Sequence, residues 1–89
     1  MISIEKDNLG GHGLHARPAL QFVNTARKFQ SDIQVTDLSN GKSGDAKAIM
    51  SVLALGASSG HHIRVTISGV DEALAGQAVQ KLFEELFSE

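Results

Sequence analysis

A histidine and an arginine two residues apart, closed by a proline, make Gly13-Leu14-His15-Ala16-Arg17-Pro18-Ala19 the stretch of this chain best suited to chemistry. Pro18 has no backbone N–H to lose and a φ already set for a first helical turn, so a helix is predicted to begin within a residue or two of it. The first turn of a helix leaves amide N–H groups without partners, and the helix dipole adds partial positive charge there. At Ala16, Arg17 and Pro18 this forms an anion site, with His15 over it. Gly13 lets the preceding backbone turn tightly, and Arg17 offers a planar fork of donors for phosphate oxygens. Phosphoryl transfer is the chemistry that uses all of these. A neutral imidazole, available because the free side chain titrates near about 6.5, is the nucleophile. A histidine held there could take a phosphate and pass it on. A surface or capping histidine beside an ordinary solvated arginine is the duller reading.

The other histidines carry less. His12 and His15 have an H-x-x-H spacing, but apart from Asp7 no nearby carboxylate or cysteine completes a metal site, and Gly13 implies a loop; no metal or other cofactor is expected. His61 and His62 show no partner by sequence and read as surface residues at the start of a strand. No second acid or nucleophile converges on His15, which disfavours a small enzyme using it as a general base.

The elements that must hold this site follow from periodicity. Ile2 and Ile4 alternate with Ser3 and Glu5, as in a half-buried strand. From Ala16 to Phe29 the apolar positions Ala19, Phe22, Val23, Ala26 and Phe29 recur at helical spacing and face a core. Leu20 falls off that stripe and shares the other face with Asn24 and Arg27. Ile33 and Val35 mark a second strand, Ser39-Asn40-Gly41 a hairpin turn, and Lys42 to Asp45 a weak third strand. Asp45 is expected to cap a short helix from Ala46 to Leu53 or Ala54, stopped by Gly56. That helix carries Ile49, Met50, Val52, Leu53 and Leu55, apolar almost all round, and a domain this small cannot bury every side of it. His62 to Ser68 reads as the fourth strand, with Ile63, Val65 and Ile67 inward. Asp71 and Glu72 favour the start of a last helix, and Leu74, Ala75, Ala78, Val79, Leu82, Phe83 and Leu86 form its apolar stripe. The order β-α-β-β-α-β-α, with one-sided strands and amphipathic helices, predicts an α+β fold with helices on one face of an antiparallel sheet.

Composition narrows the partners. At 89 residues the chain reads as one domain, residues 1–89, and its 42% hydrophobic and 20% charged content argues against disorder. A net charge of −2 gives no general attraction to nucleic acid or anionic lipid. The absence of cysteine and of any apolar run near the roughly 18 residues of a membrane span fits a cytoplasmic protein without membrane insertion. Proteins met through a local patch are the expected partners.

Four motifs, in order, resemble one family. Gly13, His15, Arg17 and Pro18 resemble the phosphorylation site of HPr, the histidine-containing phosphocarrier of the bacterial phosphotransferase system. Asn40-Gly41-Lys42 resembles its turn between second and third strands, Lys47 to Gly56 its short helix and exit, and Ser68 to Ala73 the entry to its last helix. The resemblance implies an open-faced β-sandwich of four strands in the order 1-4-2-3 covered by three helices. It implies that His15 accepts phosphate on Nδ1 from phosphoenolpyruvate-dependent enzyme I and surrenders it to IIA proteins, the carrier being a substrate of its partners and not an enzyme. It also implies a docking face that includes Leu20, Asn24 and Arg27, with Ile49, Met50 and Leu53 left exposed beside His15. Such a carrier is best served as a monomer. The same resemblance is met by a free carrier and by a carrier domain of a fused multiphosphoryl-transfer chain. The alternative is a regulatory module whose partner binding is switched by phosphate on His15. Four departures stand out: His12 replaces a small polar residue, the segment Asp37 to Asn40 is about two residues longer than usual, Ser43-Gly44-Asp45 is polar where the third strand is usually more β-like, and Ala48 occupies a position where many members carry a regulatory serine. Ser51 lies one turn on, with nothing to say that it substitutes.

Overall fold

The computed structural model describes residues 1–7, 9–10 and 13–87. Among these, the elements run β1 (Ile2–Lys6), α1 (Ala16–Ala26), β2 (Asp32–Asp37), β3 (Ser43–Asp45), α2 (Ile49–Ala54), β4 (Ile63–Ser68) and α3 (Glu72–Phe87). The strands form one antiparallel sheet in the order β1-β4-β2-β3. The register explains the alternation in the sequence. Ile2, Ile67 and Ile33 lie in one cross-strand row, and Ile4, Val65 and Val35 in the next. Period two puts these side chains on one face, where the helices cover them, while Glu5, Arg64 and Thr36 share a row on the open face. Ile33, Val35, Ile63, Val65 and Ile67 are buried completely or nearly so.

The helices close the core from one side. Ala19, Phe22, Val23 and Ala26 of α1 are buried, as are Ala75, Val79, Phe83 and Phe87 of α3. Phe83 joins the two helices: its ring centroid lies 5.2 Å from Phe22 and 5.6 Å from Phe87, both tilted. Tilted aromatic pairs contribute about 0.5–1.5 kcal/mol each beyond their buried area.

Two boundaries and one burial differ from the sequence reading. The first helix ends at Ala26 rather than Phe29, because the N–H of Arg27 is shared between the carbonyls of Thr25 and Val23 and the chain tightens into successive three-residue turns at Lys28 and Phe29. Phe29 still packs against the core, and its carbonyl accepts a bond from Lys47 Nζ at 2.7 Å. The second helix begins at Ile49, not Ala46. Asp45 Oδ1 accepts the N–H of Lys47, and the Asp45 carbonyl accepts that of Ala48, so Asp45 shapes a turn and Ala48, in extended geometry, becomes the N-cap. An alanine there makes no capping bond, which a serine hydroxyl supplies for about 0.5–2 kcal/mol. Leu74, placed in the apolar stripe of the last helix, is 63% exposed, because the seam that meets the sheet runs through Ala75, Val79 and Phe83.

The turn before α3 is tied to the end of the α1 connection. Asp71 accepts the N–H groups of Gln30 and Ser31 at 2.8 and 2.9 Å and, through a very short bond, the Ser31 hydroxyl. The Ser31 hydroxyl first, then the Gln30 amide, holds the Asp71 carboxyl below its ordinary range. A folded-state value below the unfolded one makes this contribution to stability fully present above the unfolded value, about 4, and lost as pH falls through the folded value. Asp71→Asn is therefore expected to lower the melting temperature at neutral pH and to flatten its decline on acidification below about pH 4. Parallel melting curves for the two proteins down to pH 2 would contradict this account of the turn.

Candidate functional site

The residues that the sequence reading assigns to phosphoryl transfer gather at the start of α1. His15 is the N-cap, extended in backbone and exposed, and its carbonyl accepts the N–H of Ala19 at 2.8 Å. Ala16, Arg17 and Pro18 are then the first three helical residues. Helix geometry offers no internal acceptor to the N–H groups of Ala16 and Arg17, and Pro18 has none to offer. Two amides thus open at the mouth of the helix next to the exposed His15, with no acidic residue in the first turn to compete for them. Pro18, taken by sequence with the anion site, supplies no donor and acts by holding the turn.

The loop before the helix is pinned from behind. Gly13 adopts φ 70°, and a β-carbon there would overlap the Ala57 carbonyl and lie 2.6 Å from the Ser58 carbonyl carbon. Leu14 donates its N–H to Ala57 O at 2.9 Å, and Leu9 donates to His61 O at 3.0 Å. Leu9 and Leu14 themselves are 1% and 3% exposed. Their burial fixes the loop, and the histidine that follows is turned outward.

His15 stands between two open depressions. One is shared with Leu53, Gly56 and Ser58, the other with Gly10, Arg17 and Phe87. The sequence reading missed Gly56, Ala57 and Ser58 as supports of the site, and missed that Leu86 and Phe87, at the far end of the chain, line it. No local signal could have placed them. His12 and its H-x-x-H spacing lie outside the described residues, and among the described residues no group of three or more His, Asp or Glu side chains is placed to hold a metal ion.

The docking face divides. Leu20 is 51% exposed, Met50 74% and Leu53 39%, and Asn24 and Arg27 are also exposed on α1. Ile49 is the correction: it is half-buried and packs against the core, because α2 turns Val52 and Leu55 fully inward and Ile49, three residues before Val52, rides at the edge of that face. The other two histidines, which show no partner by sequence, have partners in the structure. His61 Nδ1 lies 2.7 Å from Asp37 Oδ2, and His62 bridges Glu5 and Asp7 at 2.8 and 2.5 Å. Their partners come from β1, its exit and β2, far away in sequence.

Residues 10–85 match the family model described as the HPr component phosphorylation site of the phosphotransferase system. The chain belongs to the HPr family. HPr proteins are phosphoryl carriers, not enzymes. Over 77 residues the chain is 47% identical to the phosphocarrier protein HPr of Xylella fastidiosa, covering 86% of this chain and 84% of that one. It is 46% identical over 69 residues, 76% of this chain, to the multiphosphoryl transfer protein of Escherichia coli O157:H7. The match spans only 18% of that longer relative. An HPr structure from Thermoanaerobacter tengcongensis superposes with a TM-score of 0.88 at 39% identity, over 100% of this chain and 98% of that one. A structure of an HPr dimer from the same organism gives a TM-score of 0.75 at 42% identity, over 100% and 98%. The four-stranded order and the three-helix cover are thus those of HPr. None of the described helices is long and apolar enough to cross a membrane.

Proposed function

We propose that this chain is a carrier domain, residues 1–89, in which His15 takes a phosphoryl group from the phosphohistidine of a phosphoenolpyruvate-driven enzyme I and gives it to a histidine of IIA proteins. The lone pair of neutral His15 Nδ1 attacks phosphorus as the donor's N–P bond breaks, and the donor imidazole leaves with the bonding pair. Delivery to the IIA histidine is the same exchange in reverse order, so no net redox or proton change is required. The Ala16 and Arg17 amides and the Arg17 guanidinium meet the equatorial oxygens, where they lower the barrier without holding the phosphate so tightly that transfer stalls. The observation that carries this reading is an exposed histidine at the N-cap of α1, next to two first-turn amides, in a member of the HPr family. A cytoplasmic monomer suits a carrier that presents one face to successive partners.

Incubation with enzyme I and labelled phosphoenolpyruvate is the test. An acid-labile, base-stable phosphoprotein is expected; label that survives acid would mark a hydroxyl ester and end the carrier reading. Docking is assigned to Leu20, Asn24, Arg27, Met50 and Leu53, with Ile49 contributing only its exposed edge. An apolar surface beside a reacting group, with a flexible thioether at its most exposed point, suits several partners in turn. Met50→Glu is expected to raise KM for the carrier in the enzyme I reaction roughly tenfold while leaving the melting temperature unchanged. An unaltered KM would remove α2 from the docking face.

A further inference from the structure

The mechanism does not use His61, yet its backbone and ring sit at the junction of the site and the sheet. Two bonds join its segment to the entry of the active loop: Leu9 N–H to His61 O at 3.0 Å and Gly60 N–H to Leu9 O at 2.8 Å. A third joins the exit of that loop, Leu14 N–H to Ala57 O at 2.9 Å. Residues 57–61 are therefore the template on which both limbs of the loop are laid, with His15 following directly. The template is a turn closed by His61 N–H to Ser58 O at 3.0 Å, and the next residue ties it to the β2–β3 turn: the His62 carbonyl accepts the Leu38 N–H at 2.7 Å, and the His62 N–H is donated to Ser39 Oγ at 3.1 Å.

The ring of His61 adds a buried side-chain anchor to these backbone ties. Its Nδ1 lies 2.7 Å from Oδ2 of Asp37, the last residue of β2, whose carboxylate is fully buried on the core face of the sheet opposite Ile63. The other oxygen, Oδ1, accepts the N–H groups of Ser39 and Asn40 at 2.8 and 3.2 Å. Asn40 in turn donates to the Leu55 carbonyl at 2.7 Å, at the exit of α2. One buried carboxylate thereby ties the template, the β2–β3 turn and the end of α2 together. Removing a single partner from such a carboxylate leaves it under-satisfied, and the template must shift to recruit water or another donor.

We propose that His61 is a positioning residue for phosphoryl transfer, acting through Asp37 to hold residues 57–61, and hence Leu9 and Leu14, at the height that sets His15 at the mouth of α1. This rests on the carrier reading above. It also gives the longer Asp37–Asn40 segment a role, since that segment wraps the carboxylate that receives the ring.

The test compares three variants as substrates of enzyme I. His61→Asn places an amide donor near the position of Nδ1 and is expected to keep kcat within about twofold. His61→Gln carries its donor one bond too far, and kcat is expected to fall about five- to tenfold at unchanged KM, because the Leu20, Met50 and Leu53 surface is untouched. His61→Ala, if it folds, should follow His61→Gln. Amide hydrogen exchange at Leu9 and Leu14 should quicken at least tenfold in His61→Gln while Val35 and Val65 in the sheet stay protected. Unaltered kcat in His61→Gln, or an equal loss in His61→Asn and His61→Gln, overturns the proposal even if melting temperatures drop. Should the unmutated chain take no label at all, the carrier reading fails, and the exchange rates at Leu9 and Leu14 alone decide whether His61 sets the loop.

Discussion

His15→Ala is expected to abolish phosphoryl acceptance outright, with no acid-labile label above background after incubation with enzyme I and labelled phosphoenolpyruvate, and with a melting temperature within a degree or two of the parent. Two observations set that combination apart from ordinary loss of function. The side chain is exposed, so its removal opens no cavity, and its backbone contribution to α1, the carbonyl that accepts the Ala19 N–H, is kept by alanine. What disappears is the nucleophile itself. The amides of Ala16 and Arg17 and the guanidinium remain, but with no covalent acceptor they have no transition state to stabilise. Residual label at more than a few per cent of the parent level would place the acceptor on another residue.

Gly13→Ala is expected to be the most damaging small substitution near the site, lowering stability by about 2 to 6 kcal/mol and slowing phosphoryl acceptance. A side chain at positive φ costs about 1–3 kcal/mol in strain, and forcing an extra methyl into a packed place about 1–3 more. Both apply at Gly13, with φ 70° and a would-be β-carbon driven into the backbone of Ala57 and Ser58. The neighbour that must give way is the same 57–58 segment that receives the Leu14 amide, so the loop and the template separate together. Gly41→Ala is the control. Its φ of 82° is equally unfavourable, but nothing lies within 4 Å of a β-carbon there, so only the strain remains. Equal midpoint shifts for the two variants in urea would show that crowding at Gly13 plays no part.

Much of the site was legible because it is local. His15, Ala16, Arg17 and Pro18 are consecutive, and a helix start needs only short-range sterics to place its amides beneath the residue before it. The strands were legible for the same reason: alternation at Ile33, Val35, Ile63, Val65 and Ile67 reports one buried face wherever the partners lie. The errors have a common source in competition between nearby bonds. Asp45 was read as a helix cap and instead closes the turn at Lys47 and Ala48, and Ile49 was read as exposed until Val52 and Leu55 set the inward face of α2. Leu74 stands out of its stripe because three inward positions already fill the seam of α3.

Local chemistry in the chain was enough to put an exposed histidine and an arginine at a helix mouth, since residues that act within one turn of each other carry their geometry in their spacing. Which distant groups steady that mouth was decided by tertiary packing alone. Ala57 and Ser58 behind Gly13, Phe87 beside His15, and Asp37 under His61 meet only when β4 pairs with β2 and α3 folds back along the sheet. Contacts between residues 24 to 72 positions apart leave no periodicity behind, because nothing in a chain's local preferences depends on a partner it reaches only after the core has closed.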